Sequence, residues 1–169
     1  RSKEIIIALD NISATQEEKD IWLKQKNEEY LSYLVMMDES EVLPGVLPVL
    51  DYLKQHNQKI VLGSASKNAR PILEKSKVID YFDAVVDGND VSNAKPDPEV
   101  FLQGAKKVHF PEEKCIVFED SVAGIQAANA AGMISVGIGE ASTLHEAHFV
   151  FPDFTYIDLN FIENLINKE

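Results

Sequence analysis

From Pro44 onward, short apolar runs alternate with amphipathic stretches, and this alternation constrains the fold more than anything else in the 169 residues. Strands are expected at residues 60–63, 84–86, 115–118 and 134–137, with 149–151 as a last edge strand. Between and around them, helical patterns cover residues 46–56, 68–75, 98–108 and 121–131, and a closing helix covers 161–166. Strands separated by helices pair in parallel, and their near-continuous apolar character requires cover on both faces. The expected class is therefore α/β, with a Rossmann-like parallel sheet.

The first 38 residues read differently. Residues 2–9 are helix-like, Asn11 to Ala14 break the pattern, and Thr15 followed by Glu18 forms a capping box that opens a second, long helix. Only helices are expected there, so residues 1–38 read as a separate helical subdomain and residues 39–169 as the core. The acidic stretch at 38–41 is the expected hinge.

Composition removes several function classes. The net charge of −12 argues against the basic stripe that a nucleic-acid partner requires. It leaves room for a small phosphorylated ligand, because a few cations and a metal ion can make a locally positive pocket. Apolar runs such as residues 59–65 are too short to span a bilayer. The one cysteine, Cys115, cannot form an internal disulfide, which makes a reducing cytoplasm the expected compartment.

In a doubly wound sheet, ligands bind beyond the carboxyl ends of the strands. Ser64-Ala65-Ser66-Lys67 follows one expected strand and Glu119-Asp120-Ser121 follows another. Lys95 lies in the loop Asn93-Ala94-Lys95-Pro96-Asp97-Pro98, before a helix. A hydroxyl, an ammonium and adjacent carboxylates together suit phosphoryl transfer. The hydroxyl and helix N-terminal amides bind phosphate oxygens, the ammonium offsets their charge, and the carboxylates bind Mg²⁺.

These three segments, with Phe118 to Ala127 around the last, resemble motifs two, three and four of the haloacid dehalogenase superfamily. Within it they are most similar to the β-phosphoglucomutase branch. The resemblance implies a core of that type with part of a helical cap, cut down here to residues 1–38. It implies Mg²⁺-dependent conversion of β-glucose 1-phosphate to glucose 6-phosphate through an aspartyl phosphate and a bisphosphate intermediate. A sugar-phosphate phosphatase of the same superfamily and an inactive ligand- or partner-binding form are the rivals. By resemblance, Ser64 and Lys95 hold the transferring phosphoryl group, and Glu119 and Asp120 hold Mg²⁺. Ala65, Ser66 and Asn68 match phosphate or substrate positions, and Lys67 matches a family position beside them. From the cap, Arg1 grips the distal phosphate and Lys26 contacts the substrate.

One family motif has no counterpart here. No Asp-x-Asp occurs in these residues, and the family places one about fifty residues upstream of Arg1, at the end of an apolar strand. That strand belongs between the one ending at Ser64 and the one ending at Glu119. The core is thus expected to lack its first strand, and these residues alone are expected to show no turnover. The expected partner is the missing segment of the same protein, or a second copy covering the gap.

Each residue also has a bland reading. Asp120 could merely cap the following helix, Lys95 could be a solvated loop lysine, and Ser64 could simply end a strand. Lys26 could be a surface residue on a long helix. His145 and His148 share a helical spacing but lack a third ligand for zinc. Gly137-Ile138-Gly139 lacks the third glycine of a dinucleotide fingerprint. Cys115 reads as a small core residue, and Trp22 and Tyr30 read as packing.

Overall fold

The computed structural model describes residues 15–167. Arg1 and the helix expected at residues 2–9 lie outside the described residues. The chain divides after Met37 into two compact units. The first contains helix α1, Gln16–Met36, opened by the expected capping box. Thr15 Oγ1 accepts from Glu18 N at 3.2 Å, and Glu18 Oε2 accepts from Thr15 N at 2.7 Å. Glu17 and Glu18 also suit the positive end of the helix dipole. Ile21, Trp22, Tyr33, Val35 and Met36 are exposed on α1.

The second unit alternates as the apolar pattern requires. Its elements run α2 (Val46–Gln55), β1 (Val61–Gly63), α3 (Ala69–Lys75), β2 (Ala84–Val86), α4 (Glu99–Lys107) and β3 (Ile116–Glu119). They continue with α5 (Val122–Ala130), β4 (Ile134–Ile138), β5 (Phe149–Phe151) and α6 (Leu159–Ile166). None of the described helices is long and apolar enough to cross a membrane. Every strand pair is parallel: Gly63 lies opposite Val86, Glu119 opposite Gly137, and Ile138 opposite Phe151. These pairs form two sheets, β1-β2 and β3-β4-β5.

Core packing shows how the two sheets share one body. On one face, α4 packs on β1 and β2, α5 packs on β3 and β4, and the two helices touch. A single buried cluster, including Val86, Phe101, Val117 and Ala128, runs beneath them. The other face carries two clusters instead. One gathers Leu73, Val78 and Val85; the other gathers Val49, Ile157 and Ile162 with Phe118 beside them.

The two sheets differ in how their edges are treated. On β2, the outward carbonyl of Val85 accepts from Arg70 Nη2 at 3.1 Å and from Lys107 Nζ at 2.9 Å. Charged side chains laid on an edge in this way block further strand pairing. Among the described residues, Lys95 at Gly63 O is the side-chain contact at the inner edge of β1. Ser64 N donates to Val86 O and Ile60 O accepts from Asp83 N, so the alternating peptide groups of Val61 and Gly63 face away from β2. By the same alternation, Ile134 N donating to Cys115 O turns the peptide groups of Ile116 and Phe118 away from β4. Among the described residues no strand pairs with either inner edge. All three β1 residues are only half-buried, whereas the middle three residues of β4 are buried.

Candidate active site

The candidate site lies where β1 and β3 end. Beyond β1 the chain turns through Ser64 and Ser66, each hydroxyl accepting from the amide two residues on. Ser66 N reaches Ser64 Oγ at 3.1 Å, and Asn68 N reaches Ser66 Oγ at 3.2 Å. The loop after β2 presses against this turn, with Gly88 N donating to Ser66 O. A Cβ on Gly88 would stand 2.5 Å from Ala65 O.

Lys95 arrives from the loop before α4. Asp97 caps the entry to that helix through Glu99 N at 2.9 Å. Glu99 reaches back, accepting from Ser92 N at 3.0 Å and Asn93 N at 2.7 Å. These backbone hydrogen bonds hold its carboxyl below the usual range and tie the Lys95 loop to α4. The Lys95 ammonium lies 4.7 Å from the centre of the Phe101 ring. It donates to Gly63 O at 3.3 Å and to Glu119 Oε2 at 2.6 Å. One cation thus joins the carboxyl ends of the two sheets.

Glu119 is well packed, with its side chain 9% exposed and that of Lys95 13% exposed. Its other oxygen accepts from Ser121 Oγ at 2.6 Å and Ser121 N at 3.2 Å. Burial works to raise the Glu119 pKa, but the hydrogen bonds from Lys95 and Ser121 outweigh it and hold the carboxyl below its ordinary value. The group stays ionised and available to a cation.

A cavity of about 290 Å³ opens beside Lys95, lined among others by Ser64, Ala65, Lys67, Asn93 and Lys95. The structure therefore brings Ser64, Ala65 and Lys95 together, with Glu119 joined through Lys95. Asp120 is exposed at the end of β3. It does not cap α5; Ser121 does, accepting from Gly124 N at 3.0 Å. Ser66 and Asn68 are half-buried in the turn but do not line the cavity. Lys26 is an exposed residue of α1 in the first unit. Arg1 lies outside the described residues.

The donor set fits Mg²⁺, a hard ion that commonly takes one or two carboxylates and completes its shell with water and phosphate oxygens. Among the described residues no three His, Cys, Asp or Glu gather into a cluster that could hold a metal unaided. The two histidines serve the loop after β4 instead: His148 Nδ1 lies 2.8 Å from Ser135 Oγ, and His145 Nδ1 lies 3.2 Å from Ser142 O.

The chain belongs to the haloacid dehalogenase-like hydrolase family, which it matches over residues 3–132. It is 37% identical to β-phosphoglucomutase of Bacillus subtilis (strain 168), over 80% of this chain and 60% of that protein. It is 38% identical to fructose-1-phosphate phosphatase of Escherichia coli (strain K12), over 62% of this chain and 55% of that protein. Among solved structures, β-phosphoglucomutase from Clostridium difficile superposes with a TM-score of 0.89 at 36% identity. That match covers 98% of this chain and 75% of the other. The chain thus spans 60% or less of these two sequence relatives.

Proposed function

We propose that the complete protein is a Mg²⁺-dependent phosphotransferase acting on a phosphorylated hexose, converting β-glucose 1-phosphate to glucose 6-phosphate. The observation that carries this reading is the Lys95 ammonium, held between the strand that leads to Ser64 and the carboxylate of Glu119. Ser64 Oγ and Lys95 Nζ hold oxygens of the transferring phosphoryl group, and the enclosing turn supplies backbone amides. Glu119 and Asp120 hold Mg²⁺, which offsets charge on the phosphate when bound. Lys26, Ala65, Ser66 and Asn68 contact substrate, and Arg1 takes the second phosphate. The cytoplasm is the proposed compartment.

The likeness to an E. coli phosphatase favours a second reading, in which water takes the phosphoryl group. Phosphorus NMR of the complete protein with β-glucose 1-phosphate and Mg²⁺ separates the two. Glucose 6-phosphate without matching inorganic phosphate is expected; inorganic phosphate without isomerised sugar overturns the mutase reading.

The nucleophile is proposed to come from a segment of the same protein outside residues 1–169, extended between β1 and β3. Two inter-strand spacings of about 4.8 Å are what one inserted strand requires. Lys95, donating both to Gly63 O and to the Glu119 side chain, bridges the two strand ends, which supports a gap there for such a strand. Hydrogen exchange tests this. In the complete protein the Gly63 and Phe118 amides are expected to exchange slowly, and in residues 1–169 alone quickly, while those of Leu62 and Val117 are protected in both. Fast exchange at Gly63 and Phe118 in the complete protein refutes it. So does concentration-dependent protection in the 169-residue chain, which would name a second copy as the occupant.

A further inference from the structure

Gly124 is out of place by helix propensity alone. It sits in the first turns of α5, buried, and its backbone is helical rather than left-handed. Glycine there costs roughly 1 kcal/mol against alanine, and no turn or positive φ requires it. Close approach does. A Cβ built on Gly124 would overlap Cδ, Cγ and Oε1 of Glu119. The Glu119 side chain folds back from the end of β3 over the start of α5, into the space that a side chain at position 124 would fill.

We propose that Gly124 is a positioning residue for Glu119, and through it for Lys95. With position 124 bare, one Glu119 oxygen reaches Ser121 Oγ and N while the other reaches Lys95 Nζ. With a methyl group there, the carboxylate must swing off the helix and cannot keep both sets of partners. The first turn itself is untouched, because Gly124 N donates to Ser121 Oγ from the backbone. Gly104, the other glycine inside a described helix, shows the contrast. Its Cβ would meet Val61 Cγ1 at 3.1 Å and Val86 Cγ2 at 4.0 Å, contacts with aliphatic side chains.

A double-mutant cycle on the complete protein tests this without reference to activity. With Glu119 present, Gly124→Ala is expected to lower Tm by about 5 °C. In a Glu119→Ala background the same change has nothing to strike, so helix propensity takes over and Tm is expected to rise by about 2 °C. A second readout follows Lys95 directly, as its labelling by acetic anhydride measured by mass spectrometry. Gly124→Ala is expected to raise labelling at Lys95 several-fold while leaving Lys107, which is paired elsewhere, unchanged. Adding Glu119→Asp, one methylene shorter, is expected to restore part of the protection.

If Gly124→Ala fails to fold alone but folds in the Glu119→Ala background, the proposal stands. Equal Tm shifts in both backgrounds overturn it, as does failure to fold in both. Unchanged Lys95 labelling in Gly124→Ala overturns it too. None of these outcomes depends on the proposed reaction.

Discussion

Replacing Lys95 with methionine is expected to destabilise the chain by about 3 kcal/mol, and to lower the proposed phosphoryl transfer by the complete protein by at least about 10²-fold. Methionine keeps most of the aliphatic stem, so the loss is chiefly of charge. It leaves Glu119, 9% exposed, with only Ser121 to satisfy an ionised carboxylate. Removing one partner of a buried pair costs about 3–5 kcal/mol, and the surviving Ser121 hydrogen bonds place this site at the low end. For a chain of this length, that corresponds to a fall in Tm of about 6–12 °C. A second substitution, Glu119→Gln, removes the stranded charge. It is expected to restore much of the stability and none of the transfer. The pH dependence has a definite sign. A carboxyl held below its ordinary value of 4.5 contributes stability above that pH and loses it as pH falls through the folded-state pKa. In Lys95→Met this acid loss should shrink, which thermal melts from about pH 6 to about pH 3 would show. A melt unchanged from the parent would mean that the Lys95–Glu119 contact does not link the two sheets.

The order of elements was readable because each strand is a short apolar run bounded by turn residues, and each helix has its own start signal. Boundaries moved by a residue where side chains took over backbone partners. Ile60 looked like a strand residue, but its N–H donates to the Asp83 carboxylate and pairing begins at Val61. The helix cap went to Ser121 rather than to Asp120, since its hydroxyl rather than the neighbouring carboxylate reaches the Gly124 amide. Ser64, Lys95 and Glu119 are 31 and 24 residues apart in sequence, and only their motif context suggested that they meet. The contacts that hold them had no local signal. Glu99 gripping the Ser92–Asn93 amides and Phe101 under the ammonium both arise from side-chain paths that periodicity does not encode. The sheet divides between β1 and β3, where the family resemblance puts the absent strand; the apolar pattern alone carries no sign of it, because strand neighbours are chosen by non-local pairing.

The second large effect is expected away from the charged groups, at Gly45→Ala. Gly45 precedes α2 with φ at +84°, a conformation costing an L-residue about 1–2 kcal/mol. A Cβ there would also stand 2.5 Å from the Phe154 carbonyl carbon, 2.6 Å from Thr155 N and 2.7 Å from Phe154 O. These are backbone atoms, so no side-chain rotation relieves the overlap, and α2 or the turn at Phe154–Tyr156 must shift. Overpacking of this kind adds about 1–3 kcal/mol, for a total of about 4 kcal/mol and a Tm fall of about 10 °C. Gly132→Ala is the control, because its φ is +73° and nothing lies within 4 Å of its added Cβ. Only the conformational cost remains there, about 1 kcal/mol. The difference between the two melts isolates the clash. It also bears on the site, because Val49 of α2 lies in the same cluster as Phe118, the residue before Glu119. A displaced α2 loosens the packing behind β3, so Lys95 in Gly45→Ala should become easier to acetylate as well. Equal Tm shifts for Gly45→Ala and Gly132→Ala would show that the Phe154 turn moves aside at no cost, and that α2 is not anchored through Gly45.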